Sequence, residues 1–163
     1  MTDLEYLKEA YLYAQKFSTD PSTNNGAILV DSTGEIKVRA ANHFPKGVVE
    51  TPERWERPLK YQYVEHAERN AIYTAARELD EPTKGMTMYV PWALCADCAR
   101  AIIQAGIVKV VRHKNTMDKT PKHWKETIEI AETILLEGNV QMVEVSGKLD
   151  IGVIAFNGEV WEP

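Results

Sequence analysis

The pattern of apolar and polar positions predicts alternating helices and strands from the first residues onward. Apolar side chains recur at helical spacing from Leu4 to Ala14, which predicts an amphipathic helix over residues 3–17. The apolar run 26–30, a polar turn and the stretch 35–41 predict a β-hairpin. The chain therefore starts with a helix that is followed by two antiparallel strands.

The same alternation continues to the C-terminus. The predicted helices are 66–79, 95–105 and 124–137, and the predicted strands are 86–91, 107–112, 140–145 and 151–156. Residues 43–62, rich in proline and charge, are predicted to form a long loop, and long loops in compact domains tend to be functional. Alternating helices and strands favour an α/β layered fold around a central sheet, and we expect one domain over residues 1–163.

Composition and charge limit the kinds of molecule that we expect the protein to bind. The chain has 163 residues, a formal net charge of -5 and a pI of about 5.4. An acidic surface repels phosphate backbones, so we expect no long nucleic acid as a partner, whereas a mononucleotide needs only one local basic pocket. No apolar run approaches the length of a membrane span and the N-terminus lacks a signal-peptide core, so we expect no membrane association.

The strongest chemical signal is a histidine, a glutamate and two cysteines in a fixed order. His66-Ala67-Glu68 opens one predicted helix, and Cys95-Ala96-Asp97-Cys98 opens the next. Zinc prefers nitrogen and sulfur ligands, and a catalytic zinc needs three protein ligands and one open position. Helix N-termini favour thiolate over thiol, which is the form that zinc requires. The sequence therefore predicts zinc held by His66, Cys95 and Cys98, in the arrangement typical of zinc nucleobase deaminases.

Glu68 lies two residues from the histidine, and its spacing places it beside the open position. Zinc lowers the pKa of bound water to roughly 7, and a carboxylate there can take the proton and return it to the leaving group. The predicted chemistry is hydrolytic deamination by a zinc-bound hydroxide with Glu68 as the proton shuttle. One alternative is a closed structural zinc site with His43, His113 or His123 as the fourth ligand.

The two cysteines also bear on redox state and location. They are the only cysteines in the chain, and C-x-x-C spacing alone is also typical of a redox dithiol. The redox interpretation leaves His66 and Glu68 unexplained. Metal or redox chemistry on free thiols favours a reducing compartment, so we expect a cytoplasmic protein, or one in the host cytoplasm if a virus encodes it.

Several segments together resemble the deoxycytidylate (dCMP) deaminases. Residues 60–72 resemble the first zinc segment of that family, residues 88–107 its second, and residues 42–47 its Asn-Gly-Phe-Pro loop. The likeness covers roughly residues 4–115. Two departures lie near the second segment, because Leu94 stands where the family has proline and Trp92 replaces a smaller residue.

The resemblance implies a fold, an activity and partners. It implies a cytidine-deaminase-like three-layer fold, with a central five-stranded mixed sheet and helices on both faces. It implies hydrolysis of dCMP to dUMP and ammonia, with another free base, a nucleoside or a modified cytosine nucleotide as alternative substrates. It also implies a homo-oligomer, and deoxynucleoside triphosphates as effectors.

The resemblance further implies substrate contacts for Asn42 with the sugar, for the Ala67 N–H with the pyrimidine carbonyl, and for a carbonyl near Ala93 with the amino group. Two aromatic residues near these segments, Phe44 and Trp92, are candidates to contact the base. A nucleotide also needs cations, and arginine suits phosphate because its planar fork donates two hydrogen bonds. The candidate phosphate ligands are Lys46, Arg57, Arg112 and Lys114.

Overall fold

A mixed five-stranded sheet lies at the centre of the structure, a computed structural model that describes residues 1–163. The strands of this sheet are β1 (Gly26–Val30), β2 (Ile36–Ala41), β3 (Thr87–Val90), β4 (Lys109–His113) and β5 (Gln141–Val145). Their order across the sheet is β2-β1-β3-β4-β5. Strand β1 pairs antiparallel with β2 and β3, and the β3–β4 and β4–β5 pairs are parallel. The predicted central mixed sheet is confirmed.

Helices cover both faces of the sheet, as predicted. The helices are α1 (Asp3–Phe17), α2 (Lys60–Tyr63), α3 (Ala67–Glu78), α4 (Ala96–Gln104), α5 (Lys114–Met117) and α6 (Lys125–Glu137). Because successive strand residues point to opposite faces, Ile28 and Val30 pack under α1, whereas Ala27 and Leu29 belong to the core beneath α3, α4 and α6. None of the helices is both long enough and apolar enough to span a membrane.

Side chains cap the start of helix α1, and a glycine in β1 lets the helix lie close to the sheet. The Thr2 hydroxyl accepts from the Glu5 N–H, and the Glu5 carboxylate accepts from the Thr2 N–H at 2.7 Å, which forms a capping box. A Cβ at Gly26 would clash with the Ala10 carbonyl. Glycine at the start of β1 therefore allows α1 to pack closely on the sheet.

Two parts of the chain differ from the prediction. The long loop over residues 43–62 contains a 3-10 turn at Pro52–Trp55 and the beginning of α2. The predicted strand 151–156 is shorter and lies outside the central sheet, because β6 (Ile154–Phe156) pairs antiparallel with β7 (Glu159–Trp161). We refer to residues 154–161 as the C-terminal hairpin.

A buried histidine links α1, β4 and the C-terminal segment. The His113 side chain is fully buried, its Nε2 lies 2.9 Å from the Gly147 carbonyl and its Nδ1 lies 2.8 Å from the Tyr11 hydroxyl. The carbonyl only accepts, so Nε2 carries the proton and Nδ1 accepts from Tyr11. Burial lowers the pKa of His113 below its ordinary value near 6.5, so the neutral imidazole belongs to the folded state.

This arrangement predicts a loss of stability below neutral pH. As the pH falls through about 6.5, the unfolded chain binds a proton at His113 before the folded chain does, so the free energy of unfolding decreases. In urea titrations between about pH 7.5 and 5.5, we expect a steeper decrease for the parent than for His113→Asn, which cannot titrate. Parallel pH dependences for the two proteins would show that His113 does not cause the decrease.

Candidate metal centre and active site

Three metal-binding side chains meet where α3 and α4 begin. His66 is the N-cap of α3, Cys95 is the N-cap of α4, and Cys98 lies in the first turn of α4. The His66 Nδ1 lies 3.5 Å from the Sγ atom of each cysteine, and the three candidate ligand atoms all lie within 4.8 Å of one another. One nitrogen and two sulfurs at this spacing are the donor set that suits a tetrahedral zinc ion with one further position.

A hydrogen bond between the two cysteines favours thiolate at Cys95. The Cys98 thiol donates to Cys95, and this bond, together with His66, lowers the pKa of Cys95 to about 3 although burial opposes the change. The same bond raises the pKa of Cys98 above its ordinary value. The Arg69 guanidinium approaches the Cys98 and Cys95 sulfurs at 3.5 and 3.9 Å, so a fixed positive charge offsets the negative charge of the sulfurs.

Glu68 lies on the first turn of α3 and is 2% exposed. Its Oε2 atom is buried and has no hydrogen-bond partner in the protein. Burial raises the pKa of Glu68 above its ordinary value, and this outweighs the opposite effect of the nearby His66 charge. A carboxyl group with a raised pKa and a free oxygen is suited to take up and give back a proton near neutral pH.

A cavity of about 710 Å³, open to solvent, leads to this centre. His66, Glu68 and Cys95 lie in its wall, and so do Ala67 and Ala93. A second part of the wall is aromatic. It consists of Tyr61, Trp92, Trp124 and Phe156, with Trp92 edge-on to Trp124 and to Phe156 at ring separations of 5.6 and 5.1 Å. The cavity wall therefore combines apolar aromatic rings with the reactive groups of the metal centre.

A buried ion pair also lies in the wall of the cavity. The Lys60 Nζ lies 2.8 Å from Asp20 Oδ2, and both side chains are at most 6% exposed. The Asn42 amide donates to Asp20 and to the Thr23 carbonyl, and its oxygen accepts from Ser18 and from the Asn25 N–H. All four hydrogen-bonding positions of Asn42 are used within the protein, so this residue holds the loop of residues 18–25 in place.

The predicted site residues divide into two groups. The residues that line the cavity are His66, Ala67, Glu68, Cys95, Asn42, Trp92, Ala93 and Arg57, while Cys98 joins the metal group beneath it. Phe44 and Lys46 do not line it: Phe44 packs between Trp55 and Tyr63, and Lys46 is exposed on its loop.

Two predicted phosphate ligands also lie elsewhere. Arg112 is buried between Glu132 and Glu144, with a distance of 2.8 Å to each carboxylate. Lys114 is exposed and pairs with Asp118. Arginine and lysine patterns in a sequence do not reveal which carboxylates fold against them, and here those carboxylates belong to α6, to β5 and to the turn after α5. Of the four candidates, only Arg57 lines the cavity.

The fold and this centre together define a class, the metal-dependent hydrolases with an α/β three-layer fold. The sequence model described as "Cytidine and deoxycytidylate deaminase zinc-binding region" matches residues 1–114. The chain belongs to the cytidine and deoxycytidylate deaminase family, which confirms the resemblance seen in the sequence. A zinc-binding family and a His-Cys-Cys donor set also confirm the predicted zinc cofactor.

Named relatives and solved structures agree with this family. The chain is 34% identical over 126 residues to "Uncharacterized deaminase in luxG 3'region" of Aliivibrio fischeri, covering 77% of this chain and 82% of that protein. It is 38% identical over 112 residues to the human deoxycytidylate deaminase, covering 65% of this chain and 61% of the human enzyme. The crystal structure of dCMP deaminase from the cyanophage S-TIM5, in complex with dCMP and dUMP, has a TM-score of 0.67 at 26% identity and covers 86% of this chain and 94% of that one.

Several cavity residues were not predicted from the sequence. The Asp20–Lys60 pair joins two loops that are 40 positions apart, so no local pattern reveals it. Ile128 lies on α6 and Trp124 lies directly before it, and the pattern of this helix indicates only a face that packs in the core. The Asn157-Gly158 dipeptide between two apolar runs was a usable hairpin signal, since it is typical of tight β-turns.

Arg69 provides a test of the charge balance at the metal centre. We expect Arg69→Gln to bind zinc about 10- to 100-fold more weakly, because the sulfurs lose the neighbouring positive charge. Competition with a chromogenic chelator measures this affinity. Arg77→Gln, an exposed position on the same helix, is the matched control and retains parental affinity. Equal zinc affinities for Arg69→Gln and the control would contradict this role.

The buried ion pair predicts a large effect on folding. Lys60→Met leaves the Asp20 carboxylate buried without its cation, and we expect the free energy of unfolding to fall by about 3–5 kcal/mol in urea titrations. The double variant Asp20→Asn with Lys60→Met removes both charges and recovers most of that loss. A double variant as unstable as the single one would show that the pair does not interact as described.

Proposed function

We propose that this chain catalyses the hydrolytic deamination of dCMP to dUMP and ammonia. The observation that carries the proposal is the free, buried Glu68 carboxylate in the wall of a cavity that it shares with His66 and Cys95. The similarity to deoxycytidylate deaminases and to a dCMP-bound deaminase structure supports a cytosine deoxynucleotide as the substrate.

In this proposal His66, Cys95 and Cys98 hold the zinc. When bound, zinc supplies a Lewis acid that makes water a nucleophile at neutral pH. None of the other histidines belongs to the metal group: His113 is bonded to Tyr11 and Gly147, His43 Nδ1 lies 2.6 Å from the Phe44 carbonyl, and His123 packs beside Trp124. This supports a centre with three protein ligands rather than a closed structural one.

Glu68 moves the protons in the reaction. Its carboxylate accepts a proton from the attacking water and delivers it to the ring nitrogen of the cytosine. A second transfer through the same carboxyl group protonates the amino group, which leaves as ammonia. Burial raises the pKa of Glu68, so its protonated form is more accessible during the two transfers than that of a solvated carboxyl group.

Backbone and aromatic groups position the base. The Ala67 N–H, at the free N-terminus of α3, is available to donate to the pyrimidine carbonyl, and the Ala93 carbonyl to accept from the amino group. The aromatic wall excludes water from the apolar faces of the base, which strengthens the polar contacts. Arg57, which lines the cavity and forms no ion pair, is the cation for the phosphate.

Three further expectations stay predictions from the sequence. They are assembly into a homo-oligomer, binding of deoxynucleoside triphosphates as effectors, and the cytoplasm as the location.

The proposal is tested by removing the proton shuttle and keeping the metal ligands. We expect Glu68→Gln, an isosteric change, to retain one zinc per chain and to reduce the turnover of dCMP by at least ~10²–10⁴-fold, followed as loss of cytosine absorbance. Glu78→Gln, at the exposed end of the same helix, is the control with parental activity. Failure of the zinc-loaded parent to deaminate dCMP, or parental rates in Glu68→Gln, would refute the proposal.

A further inference from the structure

The C-terminal hairpin lies outside the family match and yet forms part of the cavity. The match ends at residue 114, whereas Phe156 and Asn157 line the cavity together with His66 and Glu68. Ile154 and Phe156 are 3% and 7% exposed, so the hairpin is packed against the protein. The candidate zinc ligands and Glu68 therefore lie in the matched part of the chain, whereas part of the cavity wall lies outside it.

Hydrogen bonds hold the hairpin against the loop of residues 18–25. The Asn24 N–H donates to the Ala155 carbonyl at 2.9 Å, and the Ala155 N–H donates to the Asn24 side chain at 3.2 Å. The Asn157 N–H donates to the Thr23 hydroxyl at 3.0 Å, and the Gly158 N–H donates to the Ser22 carbonyl at 2.8 Å. The turn of the hairpin is therefore fixed at the side of the cavity.

The same loop also positions Arg57. The Arg57 Nη2 lies 3.3 Å from the Ser22 hydroxyl, and the Ser22 carbonyl accepts from Gly158. Arg57 and the turn of the hairpin therefore share Ser22 as a neighbour. Both Arg57 and Asn157 are exposed, both line the cavity, and neither side chain is engaged by an opposite charge.

The hairpin and the metal group lie at different places along the cavity wall. Trp92 is three residues from Cys95 on one side, and on the other its ring meets Phe156 at 5.1 Å. Asn157 follows Phe156, and neither Asn157 nor Arg57 forms a hydrogen bond or an ion pair with His66, Glu68 or Cys95. Since the reacting carbon must be at Glu68, the part of the substrate near Asn157 and Arg57 is the part remote from the base.

We propose that the Asn157 carboxamide and the Arg57 guanidinium together bind the substrate phosphate, so that the C-terminal hairpin selects nucleotide over nucleoside. This inference rests on the proposed deamination of a cytosine nucleotide. Residue 157 has φ = 51° and is followed by Gly158 at φ = 79°, a left-handed pair that asparagine and glycine adopt readily. Asn157 lines the cavity and its side-chain amide has no hydrogen-bond partner in the protein, so its N–H groups are available to a phosphate oxygen.

The test uses two changes that the turn tolerates. Asn157→Gly removes the amide and Asn157→Asp replaces it with a carboxylate, and both residues accept a positive φ. We expect the KM for dCMP to rise about tenfold in Asn157→Gly and further in Asn157→Asp, with kcat within about twofold of the parent. The kcat/KM for deoxycytidine, which has no phosphate, stays within about twofold for both variants.

Asn139→Asp is the matched control, because Asn139 is also exposed with a positive φ of 59° and does not line the cavity. This variant keeps the parental KM for dCMP. A KM for dCMP within twofold of the parent in both Asn157 variants overturns the inference, and so does a fall in kcat at unchanged KM. In either case the proposed function stands as long as the parent deaminates dCMP, whereas a parent that deaminates only deoxycytidine refutes the proposed dCMP activity and the phosphate contact together.

Discussion

The meeting of two helix N-termini at one end of the sheet is the constraint on which the site depends. His66 precedes α3 and Cys95 precedes α4, and both helices pack on the same face of the sheet through small residues such as Ala71 and Ala99. Small side chains allow close packing, and close packing places the His66 nitrogen 3.5 Å from each sulfur. A displacement of either helix would move His66 away from the two cysteines. Core packing therefore determines the geometry of the metal ligands directly.

This geometry concentrates charge in a place that is largely shielded from water. Glu68 and Cys98 are buried, and Arg69 is the cation that approaches the sulfurs. Burial disfavours the charged forms of Glu68 and Cys98, and a bound divalent cation would offset that cost. The same burial raises the pKa of Glu68, so one desolvated pocket both favours a bound metal and prepares the carboxyl group for proton transfer. Metal binding and reactivity therefore have a common physical origin here.

The sequence predicted features that depend on neighbouring residues better than features that depend on residues distant in sequence. Period-3.6 and period-2 patterns predicted the four long helices and the sheet strands to within a few residues, but not the one-turn helices α2 and α5. The glycine with φ = 73° at residue 106 follows α4 where the pattern ended. The metal group could also be predicted from the sequence, because each half is a short motif at the start of a helix. Arg112 was a candidate phosphate ligand but does not line the cavity, and the buried partner of Lys60 was not predicted, because Glu144 and Asp20 are distant in sequence from these cations. For the same reason, the sequence predicted one strand over residues 151–156 but not the strand with which it pairs.

The central claim is an open metal centre with one nitrogen and two sulfur ligands from the protein. X-ray absorption at the zinc edge on the zinc-loaded protein measures this ligand set directly. The account predicts two sulfurs at about 2.3 Å and two lighter atoms at about 2.0–2.1 Å, one from imidazole and one exchangeable solvent oxygen that a bound cytosine nucleotide analogue perturbs. Two imidazole nitrogens with two sulfurs, or a spectrum that no analogue changes, would indicate a closed structural site and contradict the account.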